Sequence, residues 1–229
     1  MNKYILVGGG NVGRGNTTYE TEIIDKEAVI LTGKDNPNLL FIGLASSFSD
    51  SYYDTIKKIY KDLGCNTAYL KKKNIINNPQ IVIDKINDAD IIYFCGGDSI
   101  KLIQDVKEYK LDELFKNKDN CVFIGISAGA ILLSKSGYSD SLIIRGENDK
   151  YEFVEGLNTI PINICPHYND NYKKKELENE IDREVYGIED KSCLIVEGNK
   201  YRTIGNVYKC FLDNNKYVEV MLKEEGLID

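Results

Sequence analysis

The thirteen residues from Cys121 to Leu133 constrain this chain more than any other stretch. An apolar run that fits a strand covered on both faces passes within a few residues into a run with helical spacing. The reversal between them has to fall at Gly125 to Gly129, where a Gly-x-Ser-x-Gly pattern puts Ser127 at the tip. Glycines flank the serine because so sharp a turn leaves no room for Cβ atoms there. A hydroxyl at that tip sits at a helix N-terminus, where unpaired N–H groups and the positive end of the dipole favour a developing oxyanion. Five residues leave a second reading open, a strand-to-helix turn with an incidental serine, and the rest of the chain has to decide between them.

Taken in order, Lys3 to Val7 reads as a first strand, followed by the glycine-rich turn Gly8 to Thr18. Gly8, Gly10 and Gly13 match the dinucleotide fingerprint, but glycines continue to Gly15 and no acidic ribose ligand closes a second strand at the usual distance. Gly10 to Thr17 imitates a phosphate loop, yet Asn16 stands where the lysine belongs. The turn is therefore expected to be a flexible rim loop at the carboxyl end of the first strand. Helix Glu20 to Leu31, strand Asn38 to Leu44, a helix from Asp50 or Ser51 to Leu63 and strand Cys65 to Leu70 follow, with Gly33 and Gly64 closing the two helices. Ala89 to Cys95 is a strand ending in Gly96-Gly97-Asp98, where paired glycines allow a backbone N–H to face a ligand and Asp98 can cap the next helix. Beyond the elbow, a polar stretch reaches Gly156, and Pro161 to Cys165 is a strand delivering Pro166-His167-Tyr168 into a loop. Tyr172 to Tyr186 reads as a charged helix closed by Gly187, and Cys193 to Val196 as a strand ending in Glu197-Gly198-Asn199. The alternating runs from Tyr201 to Leu222 read as antiparallel hairpins along a sheet edge.

Repeated strand, glycine turn and helix units predict an α/β fold, a three-layer αβα sandwich whose mainly parallel sheet carries antiparallel C-terminal edge hairpins. Function in such a sheet gathers at the carboxyl ends of the strands, and Ser127, Gly97, His167 and Glu197 are all expected there. A length of 229 residues with 42% apolar content accommodates this as one domain, residues 1–229. A net charge of −7 gives no basic footprint for nucleic acid or an anionic membrane, and the Lys71 to Lys73 and Lys173 to Lys175 clusters read as solvated faces. No leader follows Met1 and no apolar run approaches the roughly 20 residues of a membrane span, so a soluble, cytoplasmic protein is expected, as monomer or homodimer. The six cysteines form no C-x-x-C pair, which argues against a disulfide framework or structural zinc; no metal and no cofactor are expected. There is one histidine, His167, so imidazole catalysis has a single candidate.

With these residues in place, the chain resembles the serine peptidases that include peptidase E, an aspartyl dipeptidase, and cyanophycinase, which have a class I glutamine-amidotransferase-like fold. The motifs span nearly the whole chain: Phe94 to Asp98 looks like the family's glycine-rich strand end, Gly125 to Ala130 its elbow, Cys165 to Tyr168 its histidine segment and Glu197 to Asn199 its acidic segment. The N-terminal glycine loop and Tyr138 to Ser141 further resemble a peptidase-E-like branch. The resemblance implies a small-peptide exopeptidase or dipeptidase in which Ser127 attacks the carbonyl, His167 carries the proton and Glu197 orients the imidazole. Asp140 is the rival acid and Asp170 a third. Backbone N–H groups of Gly97 and Ala128 would hold the oxyanion, and Asp98 and Tyr168 would contact substrate. The arginine by which peptidase E is expected to read an N-terminal aspartate has no counterpart in Lys173 to Glu178, which leaves only Arg14, Arg145, Arg183 and Arg202 to supply a guanidinium. A non-catalytic binder on the same fold and an esterase or acyltransferase are the alternative readings.

Overall fold

The computed structural model describes residues 1–228. Its strands are β1 (Lys3–Val7), β2 (Asn38–Ile42), β3 (Asn66–Leu70), β4 (Ile91–Phe94), β5 (Val122–Ile126), β6 (Ser134–Ser139), β7 (Glu152–Glu155), β8 (Ile160–Pro166), β9 (Val185–Ile188), β10 (Cys193–Glu197), β11 (Lys200–Ile204), β12 (Val207–Asp213), β13 (Lys216–Met221) and β14 (Glu225–Leu227). Its helices are α1 (Glu22–Thr32), α2 (Ser49–Asp62), α3 (Lys72–Asn77), α4 (Pro79–Asp88), α5 (Ser99–Glu108), α6 (Leu111–Lys116), α7 (Ala128–Leu133), α8 (Ser141–Arg145) and α9 (Asn171–Glu180).

The fold is the expected mixed α/β class with a large, mainly parallel sheet. Eight strands run in the order β14-β11-β10-β1-β5-β4-β2-β3. From β1 to β3 the pairings are parallel, and β10, β11 and β14 extend the other edge antiparallel. Strands β4 and β5 are buried along their whole length, as continuous apolar runs in a sheet covered on both faces should be. Gly33 and Gly64 adopt positive φ just beyond α1 and α2, so both helices close where the sequence places their ends.

A second sheet was not foreseen. Six strands in the order β13-β12-β9-β8-β6-β7 include a parallel centre of β6, β8 and β9. Helix α7 joins the two sheets: a Cβ on Gly125 of β5 would lie 2.2 Å from Gly129 O of α7, and one on Gly137 of β6 would lie 2.4 Å from Ile131 Cγ1 of the same helix. The predicted Tyr172 to Tyr186 helix stops at Glu180, and Tyr186 and Gly187 belong to β9. Likewise the polar stretch after the elbow begins with the largely buried strand β6, whose serines bond to backbone (Ser134), to Asn163 (Ser136) and to Ser99 and Ser141 (Ser139). The C-terminal hairpins divide: β10, β11 and β14 complete the first sheet, whereas β12 and β13 complete the second.

No helix among the described residues is long and apolar enough to cross a membrane. All six cysteines are free and buried.

Candidate active site

The elbow is built by close backbone packing. Gly125 lies against Gly129 across the turn, and a Cβ on Gly129 would fall 2.4 Å from Phe94 O, so the two flanking glycines let β5, α7 and β4 converge. Ser127, between them, is held at φ 51 and ψ −107, a strained conformation that only the surrounding packing maintains. Its N–H donates to Val7 O at 2.9 Å, fixing the tip to the carboxyl end of β1.

From that tip a hydrogen-bonded chain runs across the rim. Ser127 Oγ lies 2.9 Å from His167 Nε2, and His167 Nδ1 lies 2.7 Å from Asp190 Oδ1. An ionised carboxylate only accepts, so Nδ1 carries the ring proton and Nε2 is left to accept from the serine hydroxyl. The bond from His167 holds the Asp190 carboxyl below its usual range, against the desolvation that pushes it up. Asn169 buttresses the acid from both sides, donating Nδ2–H to Asp190 Oδ2 at 3.2 Å and accepting the Asp190 N–H at 2.9 Å.

The carboxylate bonded to the imidazole is that of Asp190, which is not among the acids expected from the sequence. Glu197, chosen there, lies at the wrong end of its strand. Because β10 runs antiparallel to β1, Glu197 faces Lys3 at the amino end of β1 while Cys193 faces Val7. Four residue steps of strand, about 13 Å, therefore separate Glu197 from the rim. Glu197 instead pairs with Lys3 at 3.9 Å and lines a cavity of about 520 Å³ on the far edge of the sheet, with Lys200, Arg202 and Glu225. Asp140 opens α8 without any bond to His167, and Asp170 caps α9 through the N–H groups of Tyr172 and Lys173. The signal for Asp190 was the polar turn Glu189-Asp190-Lys191 between two apolar runs, hidden because the first of those runs was read as helix.

Of the two expected oxyanion donors, Ala128 follows the serine directly and Gly97 follows Gly96, which approaches it. Ala128 is the first residue of α7, and a Cβ on Gly96 would lie 3.6 Å from Ser127 Cβ. Gly97 itself has φ +138, and a side chain there would meet Ala45 O at 2.3 Å. Such a backbone belongs to glycine alone. The other two predicted contacts are differently employed. Asp98 caps α5 through Lys101 N–H at 3.0 Å and holds Arg145 Nε at 2.7 Å. Tyr168 is buried with its ring against Gly187, and its hydroxyl meets Tyr217, Glu219 and Cys210 in the core of the second sheet, away from solvent. Nor is Lys173 on a solvated face: it is buried, with Nζ 5.1 Å from the centre of the Tyr151 ring.

Of the four arginines, Arg145 is tied to the Gly97 turn through Asp98, Arg14 lies over the Tyr52 ring, Arg183 pairs with Asp182 and Arg202 with Glu27. Burial pushes the thiol of Cys95, two residues before Gly97, up to about 12, so no thiolate competes with the hydroxyl at this rim. Among the described residues no group of three His, Cys, Asp or Glu side chains is placed to hold a metal ion.

A half-buried elbow serine, an imidazole and a carboxylate in one hydrogen-bonded line form the constellation that recurs in serine hydrolases. The sequence profile of "Peptidase family S51" matches residues 4–204, which contain all three groups. The chain belongs to peptidase family S51. Two curated relatives of this S51 member are themselves called uncharacterized peptidases. YgaJ of Bacillus subtilis is 26% identical over 174 residues, covering 74% of this chain and 70% of its own. Lmo0363 of Listeria monocytogenes is 26% identical over 131 residues, covering 53% and 63%. Two solved structures share the S51 member's fold at 20% identity: a peptidase from an acI-B1 actinobacterium, with a TM-score of 0.70 over 99% of this chain and 97% of that one, and a putative peptidase E protein from Listeria monocytogenes, with 0.66 over 89% and 98%.

Proposed function

We propose that this S51 peptidase is a serine-type exopeptidase or dipeptidase that cleaves small peptides through an acyl-enzyme, with Ser127 as nucleophile, His167 as general base and acid, and Asp190 as the group that orients the imidazole. The observation that carries this reading is the unbroken chain of 2.9 Å and 2.7 Å contacts from Ser127 through His167 to Asp190.

In the first half-reaction Ser127 Oγ attacks the peptide carbonyl carbon as its proton passes to His167 Nε2. The carbonyl oxygen takes the electron pair and becomes an oxyanion beside the N–H groups of Gly97 and Ala128, which stabilise charge that exists only in the intermediate. Collapse restores the carbonyl, breaks the C–N bond and returns the proton from Nε2 to the leaving amine. Water then enters, gives its proton to Nε2 and displaces Ser127 from the acyl carbon, regenerating the hydroxyl. In both halves Asp190 stabilises the imidazolium without itself taking the proton.

The preference for an N-terminal aspartate that the resemblance implies has no support from the stretch after the histidine segment, where Lys173 lies against the Tyr151 ring and Lys174 pairs with Glu219. The guanidinium held at the Gly97 turn is that of Arg145, the last residue of α8. A dipeptide and tripeptide library screened on wild type beside Ser127→Ala tests the reading. Turnover of short unblocked peptides, reduced by about 10⁴-fold or more in the variant, is the expected result. Undiminished hydrolysis by Ser127→Ala would refute it.

A further inference from the structure

The glycine-rich turn after β1 lies directly against the line of catalytic groups. Gly8 N–H donates to Ser192 O at 3.0 Å, Gly8 O accepts from His167 N–H at 3.0 Å, and Gly9 O accepts from Lys191 N–H at 3.0 Å. Two successive residues thus bridge the segments that carry His167 and Asp190. A Cβ on Gly9 would lie 2.0 Å from Asp190 Oδ1, 2.3 Å from His167 Cε1 and 2.4 Å from His167 Nδ1. The missing side chain is missing where the His167–Asp190 hydrogen bond sits. The rest of the loop folds back to the same place, since Glu20 binds Asn11 through N–H and Nδ2 and pairs with Lys191 Nζ at 2.7 Å.

We infer that Gly9 is a positioning residue of the peptidase site, and that the Gly8–Gly9 backbone is the template against which His167 and Asp190 are aligned. This rests on the proposed function for its meaning in turnover, but the geometry it asserts can be read without substrate. Gly9 does not adopt positive φ, so alanine is compatible with its backbone, and the effect of a substitution comes from the collision alone. Ordinary Cβ contacts begin near 3.4 Å, so the ring or the carboxylate has to move by about 1 Å or more, a misplacement that lowers turnover by about a hundredfold.

His167 is the chain's only histidine, so its Nδ1 proton is a single, assignable low-field NMR signal. In Gly9→Ala we expect that signal to be lost or displaced, with kcat down about a hundredfold and KM within a few-fold of wild type. Asn16→Ala is the control from the same loop: that side chain is exposed, and the signal and kcat should be retained. In an Asp190→Asn background, adding Gly9→Ala should lower kcat little further, because both changes act through one bond. An unchanged low-field signal in Gly9→Ala, or fully multiplicative losses in the double variant, would overturn the inference. Should Gly9→Ala fail to fold, combining it with His167→Ala and Asp190→Ala should restore folding by vacating the space, and failure of that triple variant to fold would also overturn it. A wild-type enzyme with the signal but no peptide turnover would count against the proposed function and not against this template.

Discussion

Pro166 and Ile188 face one another across the parallel strands β8 and β9, and this pairing brings His167 and Asp190 together. One strand ends directly into the histidine; the other ends two residues before the aspartate. The acid reaches the imidazole because neighbouring parallel strands end at the same rim, with the turn into β10 supplying the extra reach.

The two candidate acids should separate cleanly in kinetics. Asp190→Asn is expected to lower kcat by about 10⁴-fold, since an amide favours the wrong ring tautomer. Glu197→Gln, at the opposite end of the sheet, should leave kcat within about threefold, because exposed ion pairs of that kind contribute little. Steady-state rates on any cleaved peptide check both, and the reverse ranking would reassign the acid.

The same carboxyl gives a pH signature in stability. Its folded-state pKa is depressed, chiefly by the bond from His167, so the interaction is fully present above the unfolded value near 3.9 and is lost as pH falls through the folded one. The gap in melting temperature between wild type and Asp190→Asn should therefore be fully open above about pH 5 and close progressively below about pH 4. Thermal melts across that range would show it.

Asp25 behaves oppositely. It is buried and accepts from Thr21, Tyr60 and Tyr19 hydroxyls at 2.8, 2.8 and 3.0 Å; burial pushes its carboxyl above the usual range although these bonds pull it down. A raised folded-state pKa means stability is lost as pH rises through it, so Asp25→Asn should gain on wild type between about pH 4 and pH 7. Asp25→Ala, which strands the hydroxyls, should lose about 2–4 kcal/mol at either pH. Urea titrations at the two pH values test both statements.

At the elbow, Gly125→Ala and Gly129→Ala should each destabilise by about 1–3 kcal/mol or more, since the added methyls meet backbone that cannot yield. Activity should fall further than the stability loss explains, because the turn that aims Ser127 is displaced. Comparing urea midpoints with kcat for the two variants measures each part.

What was legible in the chain was what is local. The elbow could be read because its glycines, serine and flanking runs lie within thirteen residues, and His167 because it is single and follows an apolar strand. The acid was not, because its position depends on a strand direction: reading β10 as parallel put its last residue at the rim, whereas the antiparallel strand puts its first residues there. The second sheet was lost for a related reason. Strand β6 is mostly small polar residues whose hydroxyls find partners on other elements, and β9 is four residues beyond a charged helix, so neither carries the alternation that marks a strand. Tyr168 illustrates the converse. Its place beside His167 in sequence suggested the cleft, but strand β8 ends there and the next side chain turns into the core. The glycines after β1 were visible without their reason, which is a contact with residues about 160 and 180 positions away.

The proposed chemistry requires Ser127 to be the residue that is acylated. Treating the folded protein with a serine-directed acylating probe and mapping the adduct by peptide mass spectrometry decides this. A single adduct on Ser127, abolished or slowed by orders of magnitude in His167→Ala, is the predicted result. A folded protein that never labels at Ser127, or one that labels equally well without His167, would contradict it.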